Sequence, residues 1–104
     1  KMKIISFFYL MFFIFFYLPV KSDDIFEKGK DIFLNVAACS TCHILRDAGS
    51  EGQIGPNLNE IKPNKMRVLS AVTNGIGVMP AYEGQLTSEE IEAVAHYVAV
   101  SSNE

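Results

Sequence analysis

Two cysteines three positions apart, followed at once by a histidine, constrain this chain more than any other feature: Cys39-Ser40-Thr41-Cys42-His43. They are its only two cysteines and one of its two histidines. A disulfide between residues so close in sequence closes almost no loop and would stabilise little. A redox dithiol of the thioredoxin kind follows a strand in a βαβ context, and no strand pattern precedes Cys39. A structural zinc site needs four ligands, and the second histidine, His96, is far away in sequence. The remaining chemistry is covalent attachment of haem c. Two thiols at this spacing can each add to a vinyl group on one porphyrin edge, and the adjacent His43 brings an imidazole nitrogen to the iron as an axial ligand. The haem reading leads, with the dithiol and zinc as minor rivals.

A porphyrin at the centre also answers a problem of size. With 104 residues the chain makes one compact domain, whose apolar core is thin without a cofactor, metal or disulfide to fill it. The N-terminal stretch does not contribute to that core. Lys1 and Lys3 precede an almost unbroken apolar run from Ile4 to Val20, closed by Pro19 and the small residue Ser22. Eight aromatic residues on all faces would overfill so small a domain. The run is slightly shorter than the roughly 20 residues that span a bilayer. Residues 1–22 are therefore read as a signal peptide, with an uncleaved membrane anchor as the alternative, and residues 23–104 as the working domain. The expected location is periplasmic or otherwise exported, at a membrane only if the segment is retained.

Charge follows the same division. Lys1, Lys3 and Lys21 lie in the leader, and all twelve acids lie from Asp23 onward. The remaining six bases face those twelve acids, so a nominal −3 for the whole chain becomes about −6 for the domain. Nucleic acid is excluded as a partner, because phosphate binding needs basic patches.

From Asp23 the chain reads as three amphipathic helices joined by glycine-containing connections. The first is expected from Asp24 to about Ala38, with Asp24 and Glu27 as a capping pair and Ile25, Gly29, Ile32, Phe33 and Val36 at helical spacing. Asp47–Asn59 reads as loop. A second helix is expected over Asn64–Asn74, with Met66, Leu69 and Val72 inward and Gly75 at its end. The third begins with the capping box of Thr87, Ser88, Glu89 and Glu90, with Leu86 stapled on Ile91. Ile91, Val94, Ala95 and Val98 form its apolar stripe, with Tyr97 at the edge and His96 nearly opposite, toward water. No segment alternates with period two. The fold class is all-α.

A haem iron that only passes electrons needs a sixth ligand to exclude oxygen, and a thioether raises its potential. Met2 and Met11 lie in the leader, and Met66 falls on a helix face where methionine is ordinarily core filler. Met79 sits in Asn74-Gly75-Ile76-Gly77-Val78-Met79-Pro80-Ala81-Tyr82. Two glycines there let the backbone lie against a flat ring, and Pro80 stiffens the chain. Met79 is the expected sixth ligand, its rival role being that of an ordinary loop hydrophobe.

With these motifs in place, the chain from about Asp24 to Ser101 resembles a class I cytochrome c, in particular the short bacterial and photosynthetic forms. The resemblance rests on Glu27-Lys28-Gly29-Lys30-Asp31-Ile32-Phe33, the C-x-x-C-H motif, Gly55-Pro56-Asn57-Leu58, Met79-Pro80 and Ala95-His96-Tyr97-Val98, in the family's order. It implies a small fold with three main helices wrapped around one covalent haem. It implies that the Pro56 carbonyl accepts the Nδ1 proton of His43, and that Gly29 and Phe33 cross Tyr97 where the first and last helices pack. The chain has two more residues between Phe33 and Cys39 than the family's shortest pattern, which implies a loosened or bulged end to the first helix. The resemblance implies an electron carrier working between redox partner proteins. No acid, base or nucleophile poised for catalysis is evident, so no enzymatic activity is expected. The alternatives are a fixed haem c subunit of a dehydrogenase or oxidase complex, and a gas sensor with an open sixth position, against which Met79-Pro80 argues. The acidic surface, including Glu89, Glu90 and Glu92, suggests partners with a basic docking patch.

Overall fold

The structure is a computed structural model that describes residues 23–104. The signal peptide or anchor expected over residues 1–22 lies outside the described residues. Among the described residues, no helix is long and apolar enough to cross a membrane.

Helix α1 (Asp23–Asp31) opens on two aspartates, which suit the positive end of the helix dipole, and carries Lys28 and Lys30 in its last turn. It begins one residue before the expected cap at Asp24. It does not run on to Ala38 as an α-helix. From Ile32 to Val36 the chain widens into a π turn, closed by the Ala37 N–H on the Ile32 carbonyl at 2.9 Å. This is the bulge that the longer Phe33–Cys39 spacing implied: a π turn takes up extra residues without breaking the helix. Two side chains of the expected inward stripe do not lie inward. Ile25 and Val36 are about half exposed, at 50% and 54%, whereas Phe26 turns inward with Ile32 and Phe33. Ala38 follows in the left-handed conformation (φ 54°), and this reversal starts the 3₁₀ turn Cys39–Thr41.

The loop expected over Asp47–Asn59 contains more structure than its glycines and proline suggested. A two-stranded antiparallel ladder pairs β1 (Ile44–Leu45) with β2 (Ser50–Glu51) around a 3₁₀ turn at Arg46–Ala48. A one-turn helix, α2 (Leu58–Ile61), is capped by the Asn57 side chain on the Asn59 N–H. It buries Leu58 and Asn59. Asn59 accepts from the Arg46 N–H at 2.7 Å and donates to the Ser102 carbonyl at 3.3 Å, so the segment after the ladder is fastened to the C-terminal end of the domain.

Helix α3 (Lys65–Asn74) starts at Asn64, whose side chain caps the Arg67 N–H, and ends at Gly75. Its inward face is Val68 and Val72, with Leu69 partly buried; Met66 is 72% exposed and is not the core residue expected of it. Val68 and Val72 are one turn apart, and Met66 lies off that line.

Helix α4 (Ser88–Ser101) matches its expectation closely. Thr87 and Glu90 form both halves of the capping box, at 3.1 and 2.8 Å. Leu86, Ile91, Val94, Ala95 and Val98 are buried. Tyr97 is fully buried rather than at the edge of the stripe. Helix α4 packs across both α1 and α3. Gly29 makes the α1 crossing possible: a Cβ there would stand 2.2 Å from the Ala93 carbonyl oxygen and 2.6 Å from Tyr97 Cβ. Phe26 and Phe33 meet the Tyr97 ring edge-on, with centroids 4.9 and 5.8 Å apart, contacts worth about 1 kcal/mol each beyond area burial. The architecture is helical, as expected; the short ladder and α2 are the additions.

Candidate haem site

The C-x-x-C-H residues are gathered on one turn. The His43 N–H donates to the Cys39 carbonyl at 3.0 Å, and so does the Cys42 N–H, at 3.1 Å. Thr41 caps this turn with both its backbone N–H and its hydroxyl on the Ala38 carbonyl. Cys39 and Cys42 are free, half-buried thiols. Burial pushes the Cys39 thiol up to about 11, partly offset by a hydrogen bond from its own backbone and reinforced by Cys42. A redox dithiol works through a thiol with a depressed pKa, so the shift runs against that rival.

His43 is held from two directions. Its Nδ1 lies 2.8 Å from the Pro56 carbonyl oxygen, which can only accept. Nδ1 therefore carries the proton, and the Nε2 lone pair is left free. Gly55 lies against the ring itself: a Cβ there would come within 2.5 Å of Cε1 and 2.8 Å of Nδ1. The Gly55 N–H also donates to the Cys42 carbonyl at 2.7 Å, tying this loop to the cysteine turn. The β1–β2 ladder between them brings the chain from His43 back to Gly55 and Pro56.

Met79 occupies the loop between α3 and α4, partly buried against the core. Its backbone exchanges hydrogen bonds with Ile76 at 2.9 and 3.1 Å. Gly75 packs under this loop, where a Cβ would lie 2.7 Å from the Met79 carbonyl oxygen. Tyr82 follows, its hydroxyl donating to the Ala37 carbonyl at 3.1 Å, two residues before Cys39. Burial, followed by the neighbouring Cys39 and Cys42, raises the Tyr82 hydroxyl above its ordinary range. The structure therefore brings Cys39, Cys42, His43 and Pro56 into one tight unit, with the Met79 loop joined to its cysteine end through Tyr82. His96 is apart from this unit, half-buried in a shallow groove with Ile25, Lys28 and Glu92. Among the described residues, no group of three or more His, Cys, Asp and Glu side chains is arranged to hold a metal ion. Two thiols on one turn, beside an imidazole with a free Nε2 and a glycine cradle behind its ring, fit a covalently attached haem.

Comparison with known proteins decides the family. Residues 25–98 match the family described as cytochrome c oxidase, cbb3-type, subunit III. A cytochrome c6 from Bumilleriopsis filiformis is 37% identical over 86 residues, covering 75% of this chain and 93% of the relative. A cytochrome c6 from Gracilaria tenuistipitata var. liui is 38% identical over 80 residues, covering 69% and 68%. Among solved structures, the c-type cytochrome SorU from Sinorhizobium meliloti superposes with a TM-score of 0.75 at 50% identity, covering 80% of this chain and 97% of that one. The chain is a class I monohaem cytochrome c. Accordingly this cytochrome binds haem c covalently and is an electron carrier that serves redox partner proteins.

Two long-range hydrogen bonds, one beside the site and one in the helix packing, had no clear signal in the sequence. Nothing in the spacing shows that the Tyr82 hydroxyl reaches Ala37. Nor does it show that Asp47, in the ladder turn, accepts from the buried Tyr97 hydroxyl at 2.7 Å while pairing with Lys30 at 3.3 Å. Burial alone would raise the Asp47 carboxyl; the Tyr97 hydroxyl and the Lys30 ammonium outweigh it and hold Asp47 below the usual carboxylate range.

Proposed function

We propose that this cytochrome is a freely diffusing, exported carrier in which His43 and Met79 are the two axial ligands and Cys39 and Cys42 carry the thioether links. The observation that carries the reading is the 2.8 Å contact between His43 Nδ1 and the Pro56 carbonyl, which presents Nε2 as a preset ligand atom. The bound haem supplies reversible one-electron chemistry. The chain's own residues do the rest. Pro56 and Gly55 fix the imidazole, the cysteine turn fixes the thiols, and the Met79 thioether would shield the iron from water and small ligands and favour its reduced form. No substrate site or catalytic group enters this scheme. Residues 1–22 act as the export signal, and haem attachment outside the cytoplasm follows from it.

Docking is electrostatic in this reading, with a partner that presents a basic patch. The acidic cluster at the start of α4 is divided in its duties. Glu90 is taken up in the capping box and Glu92 pairs with Lys65 at 2.7 Å, leaving Glu89 without an ion pair among the described residues. Steering therefore comes from the excess of twelve acids over six bases across the domain rather than from this cluster alone. The match to an oxidase-subunit family favours a second reading, a haem c subunit fixed in a dehydrogenase or oxidase complex.

Stopped-flow electron transfer to two small acceptors of opposite charge, over a range of ionic strength, tests the carrier reading. A faster reaction with the cationic acceptor that fades with salt supports it. Equal, salt-independent rates together with purification in a fixed stoichiometric complex would establish the subunit instead.

A further inference from the structure

We propose that Tyr82 is a positioning residue for the sixth ligand: its hydroxyl on the Ala37 carbonyl ties the Met79 loop to the segment that delivers Cys39, and so sets how readily that loop opens. This rests on the reading of Met79 as an axial ligand. The backbone bonds of Met79 itself are shared with Ile76 and stay inside the loop. The loop is fastened to the rest of the domain at its two ends. At one end, the Gly75 N–H donates to Ala71; at the other, the Tyr82 N–H donates to Val72 at 2.8 Å. Both of these bonds go to α3. Pro80 has no N–H to offer, so the first residue after Met79 that can reach another part of the domain with a strong side-chain donor is Tyr82.

The Tyr82 residue is itself well anchored. Its carbonyl accepts from the N–H groups of Gln85 and Leu86, both at 2.9 Å, where the chain turns into α4. Its ring is partly buried against the core. The acceptor is equally fixed. Ala37 closes the π turn with its own N–H, and the left-handed Ala38 after it leads directly into the cysteine turn. The Tyr82–Ala37 bond thus joins two rigid points 45 residues apart, one on each side of the site. Removing it leaves α3 as the one other helix to which the Gly75–Tyr82 stretch is hydrogen-bonded, among the described residues.

The test is Tyr82→Phe in the haem-loaded protein, which keeps the ring and its packing. Three readouts are taken on the oxidised form: the far-red sulfur–iron absorption band, the rate of cyanide binding, and thermal loss of that band against loss of the helical circular-dichroism signal. A net hydrogen bond of about 1 kcal/mol corresponds to a roughly fivefold rise in the cyanide rate. The band is expected at full strength at room temperature, and to disappear on heating before the helices melt. Tyr97→Phe is the reference for a purely structural hydroxyl. It should lower both thermal transitions together and leave the cyanide rate unchanged. A wild-type band with an unchanged cyanide rate in Tyr82→Phe would overturn the inference alone, as would equal behaviour of the two variants. Absence of the band in the wild type would overturn the Met79 reading, and the inference with it.

Discussion

The two halves of the haem site are built on different plans. On the His43 side, the imidazole ring is enclosed by its own loop: the Pro56 carbonyl accepts its Nδ1 hydrogen bond, Gly55 lies flat behind it, and the Gly55 N–H returns to Cys42. The elements involved are close in sequence, and a two-residue ladder is enough to bring them together. On the Met79 side, the methionine sits in a loop whose internal bonds are local and whose attachments are few and lie at its ends. The two residues proposed as axial ligands are therefore held asymmetrically. The proposed ligand His43 is held by tight packing that leaves no room for a Cβ, the proposed ligand Met79 by a loop bonded to the domain mainly at its ends.

That contrast can be broken by substitution. The largest effect is expected from Gly55→Ala. The new Cβ would meet the His43 ring at 2.5 Å, and overpacking of this kind costs about 1–3 kcal/mol. Because it also displaces the ring from Pro56, the yield of haem-loaded protein should fall together with the denaturation midpoint. A Gly55→Ala protein with wild-type yield and midpoint would show that the His43 side is looser than described.

A smaller loss is expected from Asp47→Asn, which loosens the turn of the same loop from Tyr97 and Lys30. The net cost at neutral pH should be about 1–2 kcal/mol, below the full value of a charge-assisted bond because both ionic partners are partly in water. The pH dependence gives the sign. Asp47 has a lowered folded-state pKa, so its contribution is complete above the unfolded value near 4 and is lost as pH falls through the folded value. Denaturation midpoints from pH 7 down to pH 2 should therefore drop more steeply in the wild type than in the variant. Parallel curves would remove Asp47 from the account of acid sensitivity.

The smallest effect belongs to Thr87→Ala, at the exit of the Met79 loop. Loss of the cap should cost about 1 kcal/mol of global stability. The cyanide rate should not change, because the cap holds α4 and not the loop. A raised cyanide rate would mean that the Met79 side depends on α4 more than its hydrogen bonds indicate.

How much of this was legible beforehand follows the same division. The cysteine turn, His43 and the capping box were readable because each depends on residue types at fixed short spacing. The crossing of Gly29 and Phe33 with Tyr97, the Pro56 contact and the bulge before Cys39 came from resemblance, and the geometry agrees with all three. Phe26 shares a helical face with Gly29 and Phe33 at ordinary spacing and was passed over for its neighbour Ile25, since two adjacent apolar residues at a helix start suit either side of one face. Met66 was misread for a similar reason: an apolar residue on a short helix suits either of two neighbouring faces, and packing chose Val68 and Val72. Helix α2 was hidden in a stretch of turn residues, since one helical turn capped by Asn57 has too few residues to show a period. The reach of Tyr82 to Ala37 and of Tyr97 to Asp47 spans 45 and 50 residues, and only the folded chain displays it.

The assignment of the two ligand sides is most directly tested by potentiometric titration of the wild type beside Met79→Ala and Met66→Leu. The wild type and Met66→Leu should titrate as single one-electron couples at the same potential, since Met66 is an exposed side chain on α3. Met79→Ala should fall by a substantial part of the roughly 0.8 V range over which axial ligands tune haem. An unchanged potential in Met79→Ala, or an equal fall in Met66→Leu, would contradict the assignment of Met79 as the ligand opposite His43.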